Sequence, residues 1–138
     1  MIALIIVSHC HDIAEGVCRL AGEMTQTPVP IAGVGGIVGE DGQRQIGTDA
    51  TAVLEAIESC WRPAGVLILV DLGSAILSAE TALELLPDEQ RERCLISNAP
   101  LVEGAVVAPW KPAWATVSKT STAPPKRCET WIRCYASG

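Results

Sequence analysis

The sequence predicts an α/β fold, a three-layer sandwich around a mainly parallel four-stranded sheet. Two observations lead there. The wholly apolar runs Ile2–Val7 and Val66–Val70 lack the alternation of a half-exposed strand, so the sheet they form is covered on both faces. Segments with helical apolar spacing separate such runs, and strand–helix alternation at this interval belongs to parallel strands joined by crossovers.

The elements follow in order. Ile2–Val7 is the first strand, and Ser8-His9-Cys10-His11-Asp12 comes directly after it with both histidines of the chain. Ile13, Val17, Leu20, Ala21 and Met24 recur at helical spacing and predict one buried helix face. Val29–Gly33 is a weaker second strand, close to Pro28 and Pro30. The stretch GVGGIVGEDGQRQIGTD reads as a loop. Its glycines at 33, 35, 36, 39 and 42 do not follow a strand in GxGxxG spacing, so no dinucleotide site is expected. Thr48-Asp49 can cap a helix carrying Val53, Leu54, Ile57 and Trp61, which stops before Pro63. Val66–Val70 is the third strand. Asp71-Leu72-Gly73-Ser74 then turns into a helix over Ala75–Leu86, ended by Pro87. Residues 94–98, CLISN, make a fourth strand, and Pro100 stands where a last helix begins.

A chain of 138 residues suits one domain with its own core. The predicted organisation is a body over residues 1–108 and an atypical tail over 109–138. That tail holds four prolines and three tryptophans without helical period, and is expected to be disordered or translated in another reading frame. Charge divides in the same place. Residues 1–106 carry five arginines, no lysine and fifteen acids, a net of −10, while residues 107–138 carry five basic residues and only Glu129. An acidic body disfavours nucleic acid and suits a basic protein partner. The apolar runs fall far short of the roughly 20 residues of a membrane span, and no basic stretch precedes the first as in a secretory signal. A cytoplasmic protein is expected. The six cysteines are scattered without CxxC, which predicts reduced, packing thiols.

Ligands of parallel α/β sheets sit beyond the carboxyl ends of the strands. Two strands end there in reactive residues, the first at Ser8-His9 and the third at Asp71-Leu72-Gly73-Ser74. A neutral imidazole at such a point can attack phosphorus, and a carboxylate on its other nitrogen would fix the tautomer. His9 is the predicted nucleophile, and Asp71 its partner, with Asp12 the weaker candidate. The starts of the following helices, Cys10 and His11 in the first and Gly73 and Ser74 in the other, form the predicted phosphate site. The His11 side chain is expected to face solvent. Plainer readings stand beside this one: His9 as a surface or capping residue, and Asp71 as a helix cap. A metal site is disfavoured, because its ligands would crowd into one turn. No cofactor is expected.

The segments VSHCHDIAEGV, IGTDA, VDLGSAILSAETALELL and NAPLVEGAVVA together resemble the phosphotransferase subunit of bacterial dihydroxyacetone kinase, itself related to mannose-type enzyme IIA domains of the sugar phosphotransferase system. The resemblance spans about residues 1–108. It implies sheet order 2-1-3-4, a homodimer, and a phosphoryl-accepting histidine at the position of His9 with an aspartate at Asp71. Its implied partners are the histidine phosphocarrier protein HPr as donor and a second kinase subunit whose bound ADP receives the phosphate. Two other functions remain open: a mannose-type enzyme IIA carrier serving a sugar permease, and a non-catalytic regulatory module in which His9 is structural.

Overall fold

The computed structural model of the chain describes residues 2–25, 29–97 and 99–110. Strand β1 (Ala3–Ser8) leads into helix α1 (His11–Met24), then β2 (Ile31–Gly35). A short hairpin follows, β3 (Ile37–Val38) with β4 (Arg44–Gln45), then α2 (Ala50–Cys60), β5 (Val66–Val70) and α3 (Gly73–Glu84). The chain continues through α4 (Asp88–Arg91), β6 (Cys94–Ser97) and α5 (Leu101–Val107), closed by the 3-10 turn Ala108–Trp110.

Four strands form one parallel sheet in the order β2-β1-β5-β6. Counting sheet strands alone, this is the expected 2-1-3-4; among the described residues the hairpin pairs only with itself. The two central strands are buried on both faces, which is why their sequences are continuously apolar. Successive side chains point to opposite faces. Ala3, Ile5 and Val7 accordingly join Val53 and Ile57 of α2 and Ala75, Ala79 and Leu83 of α3 in one core. Ile6 and Leu69 turn the other way, to Val17 and Ala21 of α1 and Ala105 of α5. Helices thus cover both sides.

Four local expectations are corrected. On α1 the buried residues are Ala14, Val17 and Ala21, whereas Ile13, Leu20 and Met24 are exposed. The cause is a close approach to β2. A Cβ on Gly33 would meet the Cys18 Sγ at 2.9 Å, and one on Gly35 would meet the Cys10 carbonyl oxygen at 2.6 Å. Only small residues fit on both sides of that contact, so the large aliphatics turn outward. Strand β2 begins two residues late: Pro30 lacks an N–H and contributes only its carbonyl, which accepts from the Leu4 N–H. The glycine-rich loop contains the β3–β4 hairpin, with Gly42 at φ 77° in its turn. Helix α3 starts at Gly73, two residues before the expected Ala75.

Cys10, Cys18, Cys60 and Cys94 are free thiols. Cys128 and Cys134, the fifth residue of the expected last strand (Asn98) and residues 111–138 of the expected tail lie outside the described residues.

Candidate functional site

Parallel pairing places the ends of β1 and β5 side by side. Val7 is registered with Val70, so the next residues, Ser8-His9 and Asp71, emerge together at the carboxyl edge of the sheet. Asp71 is the hub. Its Oδ1 accepts from the His9 Nδ1 at 2.9 Å and from the Leu72 N–H at 2.7 Å. Its Oδ2 accepts from the Ser8 hydroxyl at 2.8 Å and from the His9 N–H at 3.0 Å. Burial works to raise the Asp71 carboxyl, but the bonds from His9, Ser8 and Leu72 outweigh it and hold the group below its ordinary value. The acid is therefore ionised near neutrality and can only accept, which requires the proton on His9 Nδ1. In the neutral ring, Nε2 then carries the free lone pair. It faces the Ser74 hydroxyl.

The imidazole lies at the mouth of the sheet and is not entombed, with 16% of its side chain exposed against 18% for Asp71. Its own carbonyl accepts from the Gly47 N–H at 2.8 Å, so the segment after the hairpin also braces it. Beside Nε2, α3 begins. The Leu72 N–H is taken by Asp71 and the Ala75 N–H by the Leu72 carbonyl. The N–H groups of Gly73 and Ser74 lie between these two, at the positive end of a twelve-residue helix.

His9, Asp71, Gly73 and Ser74 thus come together as the sequence arranged them. Cys10 and His11 sit differently. The Cys10 N–H donates to the Ser8 hydroxyl at 3.1 Å. His11 is half-buried beside Gly36 and lines a groove of about 830 Å³ that runs along β2 and α2. Asp12 is exposed in the first turn of α1. Ser8, which the sequence places with His9 at the end of the first strand but without a role of its own, is fully buried and bonded to both Asp71 and Cys10. The available signal was a hydroxyl directly ending an otherwise apolar buried strand.

The family EIIA-man, described as the PTS system fructose IIA component, matches residues 3–120. The chain belongs to this family. Among EIIA-man relatives, the phosphoryl donor subunit DhaM of PEP-dependent dihydroxyacetone kinase from Escherichia coli K12 is 49% identical over 109 residues, 78% of this chain and 23% of that protein. The DhaM subunit of dihydroxyacetone kinase 2 from Listeria innocua is 44% identical over 108 residues, covering 78% of this chain and 83% of that one. The chain thus spans about a quarter of the length of the E. coli relative but most of the Listeria one. A crystallised protein of unknown function, EF1359, superposes with a TM-score of 0.68 at 32% identity, over 82% of this chain and 84% of its own. The likeness drawn from the four sequence motifs is the one these relatives bear. No helix among the described residues is long and apolar enough to cross a membrane.

Proposed function

We propose that this chain is a phosphoryl carrier of a PEP-dependent dihydroxyacetone kinase: His9 takes a phosphoryl group from the phosphocarrier HPr and passes it to ADP held on the partner kinase subunit. One observation carries the reading. His9 is bound through Nδ1 to an ionised Asp71, while Nε2 points to Ser74 at the start of α3. Nε2 is the nucleophile in this reading. Its lone pair forms the new N–P bond as the donor's P–N bond breaks, and Nδ1 keeps its proton, so the positive charge left on the ring is balanced by Asp71. The incoming group displaces the Ser74 hydroxyl from Nε2 and is held by that hydroxyl and the N–H groups of Gly73 and Ser74. Transfer to ADP reverses the geometry, and the nucleotide belongs to the partner, so this chain supplies no cofactor.

The same relay gives the other expectations their place. Leu72 and Leu77 are exposed around Ser74, an apolar rim suited to transient docking of a protein donor on an otherwise acidic body. The exposed stripe Ile13, Leu20 and Met24 on α1 supports a homodimer contact. Residues 1–108 form the carrier domain, and the compartment is the cytoplasm, where the donor and the kinase subunit work.

The test is reconstitution. With phosphoenolpyruvate, enzyme I and HPr, the chain should gain an acid-labile, base-stable phosphate that a His9→Gln variant does not take up. Adding the ADP-bound kinase subunit should then yield ATP. Uptake without ATP points instead to a mannose-type carrier for a permease, and no uptake points to a regulatory module.

A further inference from the structure

We infer that Ser8 is a positioning residue for phosphoryl transfer, acting through Asp71 to hold His9 with its proton on Nδ1 and its lone pair on Nε2. This rests on the reading of His9 as the phosphoryl acceptor. The Ser8 side chain is wholly inaccessible to solvent and its hydroxyl has two partners. It donates to Asp71 Oδ2 at 2.8 Å and accepts from the Cys10 N–H at 3.1 Å. The Asp71 carboxylate has four donors, two on each oxygen: Leu72 and the His9 ring on Oδ1, Ser8 and the His9 amide on Oδ2. Three of the four come from backbone or from the ring being oriented. Among the described residues Ser8 is the one donor from a separate side chain, and it is anchored at the end of β1, paired in register with Gly35.

Its position is what gives it leverage. Rotation of the carboxylate about its Cβ–Cγ bond would trade Oδ1 against Oδ2 and loosen the Nδ1 bond. A hydroxyl fixed in the strand below opposes that rotation, because its hydrogen bond is made to one oxygen only. The same hydroxyl ties down the Cys10 N–H at the entrance of α1. One atom therefore registers the acid that orients the imidazole with the backbone that carries it. Without it, the half-buried Cys10 N–H loses its acceptor, and Oδ2 keeps one donor of two. The carboxylate, still bonded by the His9 and Leu72 N–H groups, is then less firmly fixed, and the ring gains access to the opposite tautomer, whose Nε2 bears a proton and cannot attack phosphorus.

The experiment uses the full chain in the reconstituted donor system, with Ser8→Ala, the near-isosteric Ser8→Cys, whose thiol is a weak donor, and Ser8→Thr, which keeps the hydroxyl. Nitrogen NMR of the His9 ring reads the tautomer in the unphosphorylated protein, and rapid quench reads the rate of uptake. Ser8→Ala and Ser8→Cys should give a mixed tautomer and uptake slowed about tenfold, the effect of losing one hydrogen bond to a charged group. Ser8→Thr should recover both. A folded Ser8→Cys or Ser8→Ala protein that keeps the Nδ1–H tautomer and the parent rate overturns the assignment, as does a folded Ser8→Thr protein that recovers neither. Should the parent chain take up no phosphate at all, the carrier reading fails. The tautomer measurement still decides whether Ser8 positions the ring.

Discussion

Two helix starts flank the imidazole, and they are built in opposite ways. The entrance of α1 is packed shut. The Cys10 N–H is engaged by Ser8, Gly35 brings β2 so close that no side chain fits, and Gly36, at φ 72°, lies over His11. The entrance of α3 is open. A Cβ on Gly73 would meet nothing within 4 Å, Leu72 is exposed, and Ser74 is turned to His9 Nε2. The difference teaches which terminus is scaffold and which is receptor. In the proposed relay the packed one holds the backbone that carries His9, and the open one is the side from which the phosphoryl group would be received. Sequence spacing alone gave both termini equal standing as phosphate sites.

The comparison is broken most severely at its centre. Replacing Asp71 with Asn should slow phosphoryl uptake on the order of 100-fold or more, since the amide can donate to Nδ1 and favour the wrong tautomer; rapid-quench labelling reads this. The next test sets the two termini against each other. Gly35→Ala drives a Cβ into the Cys10 carbonyl at 2.6 Å and against the Ala14 Cβ at 3.1 Å. Backbone must move, at a cost of about 1–3 kcal/mol in urea unfolding, and uptake should fall with it. Gly73→Ala should leave stability equal or raise it by up to about 1 kcal/mol, since the helix gains a better former in open space. It should nevertheless slow uptake, because the new methyl occupies the room left for the phosphoryl group. Equal loss of stability in both variants would erase the distinction between scaffold and receptor.

Smaller effects sharpen the picture. The Asp71 carboxyl is depressed in the folded protein, so its contribution to stability is complete above the ordinary value of 3.8 and is lost as pH falls through the lower folded value. Unfolding midpoints taken downward from about pH 5 should decline, and the decline should be shallower in Asp71→Asn. Least visible is the thiol chemistry. Burial pushes Cys18 up to about 11, with Glu15 and Cys60 adding to it, and pushes Cys94 up to about 12. Both should alkylate far more slowly in the native protein at neutral pH than after unfolding, as mass spectrometry would show.

Much of the fold was legible because burial on two faces leaves a plain mark. Ile2–Val7 and Val66–Val70 could only be central strands, and the polar residues directly after them had to share one edge of the sheet. Legibility failed where a contact is set by a partner distant in sequence. Ile13, Leu20 and Met24 have the spacing of a buried face, yet the approach of Gly33 and Gly35 of β2 reserves that position for Ala14, Val17 and Ala21. The hairpin inside the glycine-rich segment was missed because each of its strands is two residues long, too short for any periodicity.

By itself, then, the sequence determined that His9 and Asp71 follow two strands of a covered parallel sheet, since apolar continuity and crossover spacing are local properties of the chain; that the strands are neighbours was implied by the family resemblance. Only the tertiary structure decided the chemistry of that meeting: which imidazole nitrogen is bound and which is free, that the buried hydroxyl of Ser8 braces the acid, and that α3 offers the open donors. Those outcomes depend on distances of 2.8–3.0 Å between groups some sixty residues apart, and no spacing along a chain encodes a hydrogen bond of that kind.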